Sequence, residues 1–174
     1  LSKQGGDCVR LGTELLRGTP PMRGGVSYRC DRMSLSKGNP ALNLIYTFGN
    51  IKLSKRQLQS SIFNDRRYSA VFSGLSAADR NKLETAIVIW SHNTGVGGMQ
   101  VPLTSLLNSK YRGKKITNVE TFLSELKQAH RDYPHAVYRG KPAAIREKSG
   151  YYTAVSTRLG NLERNAGGGS CVAL

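Results

Sequence analysis

The sequence predicts an α+β fold in which helices pack on a mixed β core. Apolar residues recur at helical spacing through the middle of the chain, between residues 77 and 130. After Tyr133-Pro134 the pattern changes to short runs of β-forming side chains that are separated by glycine-containing turns. A run of helices followed by a run of strands is typical of the α+β class.

Length and composition bound what the protein can be. A chain of 174 residues with 39% apolar residues is neither disordered nor fibrous, and it can bury a single core without disulfide or metal support. No run of about 18 apolar residues occurs, so no membrane-spanning helix is predicted. The three cysteines are odd in number and widely spaced, which favours a reducing compartment over a disulfide framework.

The charge is strongly positive and extends along the whole chain. Lys and Arg number 26 against 11 acidic residues, which gives a formal net charge of +15. Before Ser76 there are 12 basic and 4 acidic residues, and from Ser76 onward there are 14 and 7. Such a chain attracts polyanions, anionic ligands or an acidic protein partner, but the charge identifies no reaction.

The first third of the chain differs from the rest in composition. Residues 1–59 are dense in Gly, Pro, Ser and Arg and contain only two short candidate strands, Val26–Tyr28 and Leu42–Tyr46. This composition predicts a basic N-terminal arm or subdomain over residues 1–59, followed by a folded domain over residues 60–174.

Three helices are predicted in the middle of the chain. Ser76 is a suitable N-cap for a helix over Ala77–Trp90, since its hydroxyl can accept from a free N–H of the first turn. A shorter second helix carries three leucines and ends before Gly113. The capping-box sequence Thr117-Asn118-Val119-Glu120 then opens a third helix that continues to His130.

Three strands are predicted after these helices, at His135–Arg139, Tyr151–Thr157 and Ser170–Leu174. We expect the helices to pack on this sheet through their apolar stripes. The side chains that should then be largely buried are Leu83, Trp90, Phe122, Leu126 and Val137.

A candidate site follows from the first two strands. An arginine on an apolar strand is costly unless an anion or a hydroxyl meets it, and Gly140 directly after Arg139 would let a ligand approach the backbone. Ser156 and Thr157 on the neighbouring strand could hold that arginine and line a cleft. The alternative is an ordinary edge-strand arginine that faces solvent.

Helices, a strand ending Tyr138-Arg139-Gly140 and a strand ending Ser156-Thr157 together resemble the mono-ADP-ribosyltransferase toxins of the Arg–Ser–Glu class. The resemblance covers about residues 60–174, and it implies their helices-on-β-core fold, with NAD as substrate. It implies that Tyr138, Arg139, Gly140 and Ser156 bind NAD, and that Arg139, Ser156 and Thr157 serve as catalytic residues. No Cys and His spacing in the sequence matches a zinc site, so no metal is predicted.

This chain departs from the family pattern at two places. Arg158 takes the third position of the expected Ser-Thr-Ser motif, and no Glu-x-Glu follows. The only acidic residue after Ser156 is Glu163, which comes too soon to be the catalytic glutamate. The alternatives are a missing C-terminal segment and a degenerate member of the family.

The function that the resemblance implies is NAD-dependent mono-ADP-ribosylation of a host or target protein. The enzyme would be a toxin, an effector or a phage-delivered enzyme, a virulence protein that is secreted or delivered into the cytoplasm of a target cell. The rival is a non-catalytic basic module that binds nucleic acid or an acidic protein. Tyr111-Arg112-Gly113 repeats the Tyr-Arg-Gly sequence, but it lies in a Lys-rich connection and is interpreted as a solvated turn. Cys171-Val172-Ala173-Leu174 is interpreted as either a strand or a prenylation signal.

Overall fold

The computed structural model describes residues 40–165, and every regular element in this range is a helix. No strand occurs anywhere in the described range, so the predicted α+β class with its mixed β core is wrong there and the fold is all-helical. The chain divides into two compact units between Asn64 and Asp65.

The described part of the first unit is one long helix with a wider last turn. Helix α1 (Pro40–Leu58) continues into a π-helical turn, Gln59–Phe63. The predicted strand Leu42–Tyr46 lies inside α1, which corrects that prediction. Proline suits the first helical position, and a helix pairs the backbone groups of this segment internally without a partner strand. The predicted strand Val26–Tyr28 lies outside the described residues.

Five helices and one short 3₁₀ turn form the described part of the second unit. In chain order the elements are α2 (Ser69–Phe72), α3 (Ala77–Thr94), α4 (Val96–Ser109), α5 (Val119–Asp132), the 3₁₀ turn (Ala136–Tyr138) and α6 (Pro142–Asn165). Helices α3 and α5 contact each other, and α4 and α6 each contact both of them, so these four helices share one core.

The three predicted helices are present, but α3 ends at Thr94 instead of Trp90 and α5 has a different cap. Ser76 is the N-cap of α3, and its side-chain oxygen accepts from the backbone N–H of Asp79 at 3.1 Å, as predicted. At the start of α5 the N-cap is Asn118 and not Thr117, because the Asn118 side-chain oxygen accepts from Thr121 N at 2.9 Å. Either residue type satisfies a free N–H of the first turn, so the sequence alone leaves the position open by one residue.

Four of the five predicted core residues are buried, and one is not. Leu83, Trp90, Phe122 and Leu126 are each at most 1% exposed, which confirms the prediction for them. Val137 is 60% exposed, so its predicted burial is wrong. It lies in the irregular segment between α5 and α6, where no sheet is present to cover it.

Two of the three strands predicted after Tyr133 are replaced by other structures. His135–Arg139 contains a single 3₁₀ turn, and Tyr151–Thr157 lies in the middle of α6. The β-forming tendency of Tyr, Thr and Val depends on packing against a neighbouring strand, and α6 packs against α3 and α5 instead. The predicted strand Ser170–Leu174 lies outside the described residues.

Candidate anion-binding surface

The connection between α4 and α5 concentrates positive charge in a short turn. Its six residues, Lys110–Lys115, include four cations, and we call this segment the basic loop. The Lys114 backbone N–H donates to the Tyr111 carbonyl at 3.1 Å, and Gly113 takes a positive φ of 71°. A side chain is strained in that backbone region, so glycine is the residue that lets the chain turn here.

Two residues fix the ends of the basic loop to the helical body. The Tyr111 ring packs edge-on against Phe122 with centroids 5.1 Å apart, and the Tyr111 hydroxyl donates to Glu125 Oε2 at 2.7 Å. At the other end Ile116 is fully buried, and its N–H donates to the Val71 carbonyl at 2.8 Å. The loop is therefore held in one conformation from both sides.

Gly74, which follows α2, packs so closely against the end of the basic loop that a side chain would not fit there. A Cβ added at Gly74 would lie 2.6 Å from the Ile116 carbonyl oxygen, which is a backbone atom and cannot move aside cheaply. Glycine at this position lets the two backbones meet.

One of the four cations, Lys110, forms an ion pair with Glu125. Lys110 Nζ lies 2.8 Å from Glu125 Oε1. Burial acts to raise the pKa of Glu125, but the hydrogen bonds from Lys110 and Tyr111 outweigh it and hold that pKa below its usual value. Burial and the neighbouring carboxylate together raise the pKa of Tyr111, so this hydroxyl stays protonated and keeps donating.

The other three cations of the basic loop point to solvent. Arg112, Lys114 and Lys115 are exposed, and none forms an ion pair within residues 40–165. The interpretation of Tyr111-Arg112-Gly113 as a solvated turn is correct for Arg112 and Gly113 but not for the half-buried Tyr111. Sequence reasoning did not single out this loop as a site, although the density of cations was a visible signal.

Three of the four residues predicted to bind NAD, Tyr138, Arg139 and Gly140, lie in the segment before α6. The Tyr138 hydroxyl donates to the Thr94 carbonyl at the end of α3, at 2.7 Å, which fixes the ring. Arg139 is exposed, and Gly140 takes a positive φ of 72°. Arg139 therefore lies on a turn, and the strand that was predicted there is absent from the described chain.

Ser156 and Thr157 are not next to Arg139 on a second strand. Both are exposed on α6, and the Ser156 hydroxyl donates to the Thr153 carbonyl of its own helix at 3.1 Å. At about 1.5 Å per residue, the helix separates Ser156 from Pro142 by roughly 21 Å. The predicted arrangement of Arg139 with Ser156 is thus corrected, and the roles that the resemblance gives these residues stay a prediction.

A three-ring stack joins the central helices. Trp90 of α3 stacks on His130 of α5 at 5.3 Å and on Tyr152 of α6 at 6.0 Å. The indole N–H donates to the Lys148 carbonyl at 2.5 Å. His130 is 1% exposed, and its Nε2 has no hydrogen-bond partner among the described residues. Burial lowers the pKa of His130 to about 4, so the ring is neutral at pH 7.

Other kinds of site find no support in the described range. Residues 40–165 contain no group of three or more His, Cys, Asp or Glu side chains placed to hold a metal ion. Among the helices of this range, none combines the length and apolar character that crossing a membrane requires. In comparisons with known proteins, no family model, no curated protein and no solved structure matches the chain.

Proposed function

We propose that this protein is a basic binding module whose basic loop contacts the phosphate backbone of nucleic acid without selecting a base sequence. The observation that carries the proposal is the trio Arg112, Lys114 and Lys115, which are exposed on a turn fixed at both ends and form no ion pair with any residue that the structure describes. Because the backbone of this turn is fixed at both ends, it loses little backbone freedom on binding, and each phosphate neutralised releases counterions.

The composition of the loop favours nucleic acid over an acidic protein. Protein partners bind mainly through buried apolar or aromatic anchors, and the basic loop offers none, since Ile116 is buried beside it. Its aromatic residue, Tyr111, is packed on Phe122 and bonded to Glu125, so it cannot stack on a base. We therefore expect weak, sequence-independent binding at physiological salt.

Removing the three free cations should lower the salt dependence of binding. The quantity to compare is the slope of the logarithm of the binding constant for duplex DNA against the logarithm of the salt concentration. For the triple variant Arg112→Ala, Lys114→Ala, Lys115→Ala, we expect the magnitude of this slope to decrease by up to about 3, because each phosphate contact contributes about 0.9. The affinity at low salt should fall by roughly tenfold or more. Fluorescence anisotropy over a series of salt concentrations measures both quantities.

The control is a second triple variant that removes the same amount of positive charge from another part of the protein. Arg131→Ala, Arg146→Ala, Arg158→Ala also removes three exposed cations, but from α5 and α6. If both triples lower the salt slope equally, binding is diffuse and the loop is not a site. If polyglutamate displaces the DNA as well as unlabelled DNA does, the partner is an acidic protein. A nanomolar, salt-resistant complex with one defined oligonucleotide would contradict the absence of sequence selection.

A second candidate function, mono-ADP-ribosylation of a protein with NAD as substrate, is supported by the placement of Arg139. Its guanidinium is exposed and forms no ion pair within the described residues, on a turn held by the Tyr138–Thr94 hydrogen bond. A planar guanidinium on such a turn can bind the dinucleotide phosphates through two parallel hydrogen bonds. The family resemblance, through the sequence Tyr138-Arg139-Gly140, points to the same residue.

Under this candidate, Arg139→Ala should weaken NAD binding by roughly tenfold to a hundredfold, since a charge-assisted contact is worth about 1.5–3 kcal/mol. Arg139→Lys should restore little, because an ammonium cannot make the two-pronged contact. Arg112→Ala, in the similar Tyr-Arg-Gly string of the basic loop, is the control and should change nothing. Calorimetric titration of NAD makes the comparison. Equal effects of the two alanine variants, or no NAD binding by the unaltered chain, would reject this candidate.

A further inference from the structure

The segment between α5 and α6 exposes apolar side chains in a way that the basic loop does not. We call Tyr133–Lys141 the linker segment. Within it Tyr133 is 50% exposed and Val137 is 60% exposed, and they lie four residues apart. The linker segment is thus a place where large apolar side chains reach solvent close together in sequence.

The linker segment is held by its own contacts. The Tyr138 hydroxyl is fixed on the Thr94 carbonyl, and the ring lies against His135 with centroids 5.8 Å apart. The Val137 N–H donates to His135 Nδ1 at 3.2 Å, which closes the turn that presents Val137. A surface that is already ordered loses little conformational entropy on binding.

Cationic side chains lie close in sequence to the two exposed apolar side chains. Arg131, Arg139 and Lys141 are exposed, and none forms an ion pair within residues 40–165. The nearby carboxylate of Asp132 accepts a hydrogen bond from the Gln128 amide at 2.8 Å. The combination of apolar anchors and a cationic rim differs from the purely cationic basic loop.

We propose that the linker segment binds an acidic peptide segment of a partner protein, one that carries an apolar residue between its carboxylates. Val137 and Tyr133 would contact the apolar residue of the partner, while Arg139 and Lys141 would meet the flanking carboxylates. Apolar contact at the centre with charge at the rim is the general arrangement of protein–protein interfaces. This proposal concerns a surface other than the basic loop and does not depend on nucleic-acid binding there.

The test uses two fluorescein-labelled peptides, polyglutamate with two central leucines and polyglutamate of the same length with two central serines. Fluorescence anisotropy with the full chain should show the leucine peptide bound at least about fivefold more tightly than the serine peptide. Val137→Ser combined with Tyr133→Ser should abolish that preference, and Arg139→Ala with Lys141→Ala should weaken both peptides. All four side chains lie outside the core, and circular dichroism of each variant checks that its helices remain.

The basic-loop triple variant separates this proposal from the proposed function. It should leave the leucine preference unchanged, whereas a loss of the preference in that variant would overturn the linker segment as the docking site. Equal binding of the two peptides would also overturn the proposal, and so would an unchanged preference after the Val137 and Tyr133 substitutions. If those two substitutions weaken DNA binding and leave the peptides unaffected, the linker segment is a nucleic-acid contact and the proposal is wrong.

Discussion

Replacing Trp90 with alanine is expected to lower the free energy of unfolding by about 3–5 kcal/mol, as is typical when a large aromatic side chain is removed from a core. Trp90 is 1% exposed, stacks on His130 and Tyr152, and donates its indole N–H to the Lys148 carbonyl. The variant loses the ring contacts with two other helices, α5 and α6, and leaves that carbonyl without its donor. A typical domain has about 5–15 kcal/mol in total, so much of the stability of the second unit is lost.

Urea unfolding followed by circular dichroism measures the change. Trp90→Phe should cost less than Trp90→Ala, because a ring remains between His130 and Tyr152 while the hydrogen bond to Lys148 is lost. Tyr133→Ala is the control, since the Tyr133 side chain is half exposed and its loss should change stability by about 0.5 kcal/mol or less. A loss below about 1 kcal/mol for Trp90→Ala would contradict the central position of this side chain.

Acidification should destabilise the protein through His130, by up to about 3 kcal/mol. Burial lowers the pKa of the folded-state ring to about 4, while in the unfolded chain it stays near 6.5. Between these values the unfolded chain binds a proton that the folded chain does not, so stability is greatest above pH 6.5 and falls as the pH drops toward 4. The slope is about 1.4 kcal/mol per pH unit for this one group.

His130→Phe keeps an aromatic ring on Trp90 but cannot bind a proton, so its stability should be nearly flat between pH 6.5 and 5. Urea unfolding at several pH values compares it with the unaltered protein. His92→Gln is the control: partial burial also lowers the pKa of His92, but this side chain is more exposed than His130, so most of the acid loss should remain in this variant. The same pH dependence in the His130→Phe protein would show that other groups cause the loss. The carboxylates Glu125 and Glu147, whose pKa values are lowered, act mainly below this window.

The two proposed surfaces require different partners because they present different chemistry. The basic loop offers cations alone, which suits phosphates and gives little selectivity. The linker segment adds exposed Val137 and Tyr133 to its cations, and apolar contact is what distinguishes one protein partner from another. Variants of one surface should therefore leave binding at the other unchanged.

The helices that the sequence predicted correctly are those whose signals are local. In α3 the cap at Ser76 and the apolar spacing from Leu83 to Trp90 lie within one helix, so hydrogen bonds and burial agree with the pattern. In α5 the stripe through Phe122 and Leu126 is equally regular, and only the cap residue differed by one position. The positive charge is also a property of the sequence alone.

The state of Tyr151–Thr157 was decided by contacts with distant residues. Tyr152 stacks on Trp90, and the neighbouring Lys148 carbonyl accepts the Trp90 indole N–H from 58 positions earlier in the chain. No pattern within a short window reports such contacts, so the local β-forming tendency favoured a strand. The candidate site built on two adjacent strands was wrong in its geometry for the same reason.

Composition and local periodicity thus determined the charge of the protein, the helices α3 and α5 and most of their buried side chains. The tertiary structure decided which cations of the basic loop pair with a carboxylate and which are exposed to solvent. Lys110 is taken up by Glu125, Tyr111 is anchored on Phe122, and Ile116 bonds to Val71, so three cations of the loop are left exposed. The partners of these anchors lie 11 to 45 positions away, and only the folded arrangement of the helices brings them within contact distance.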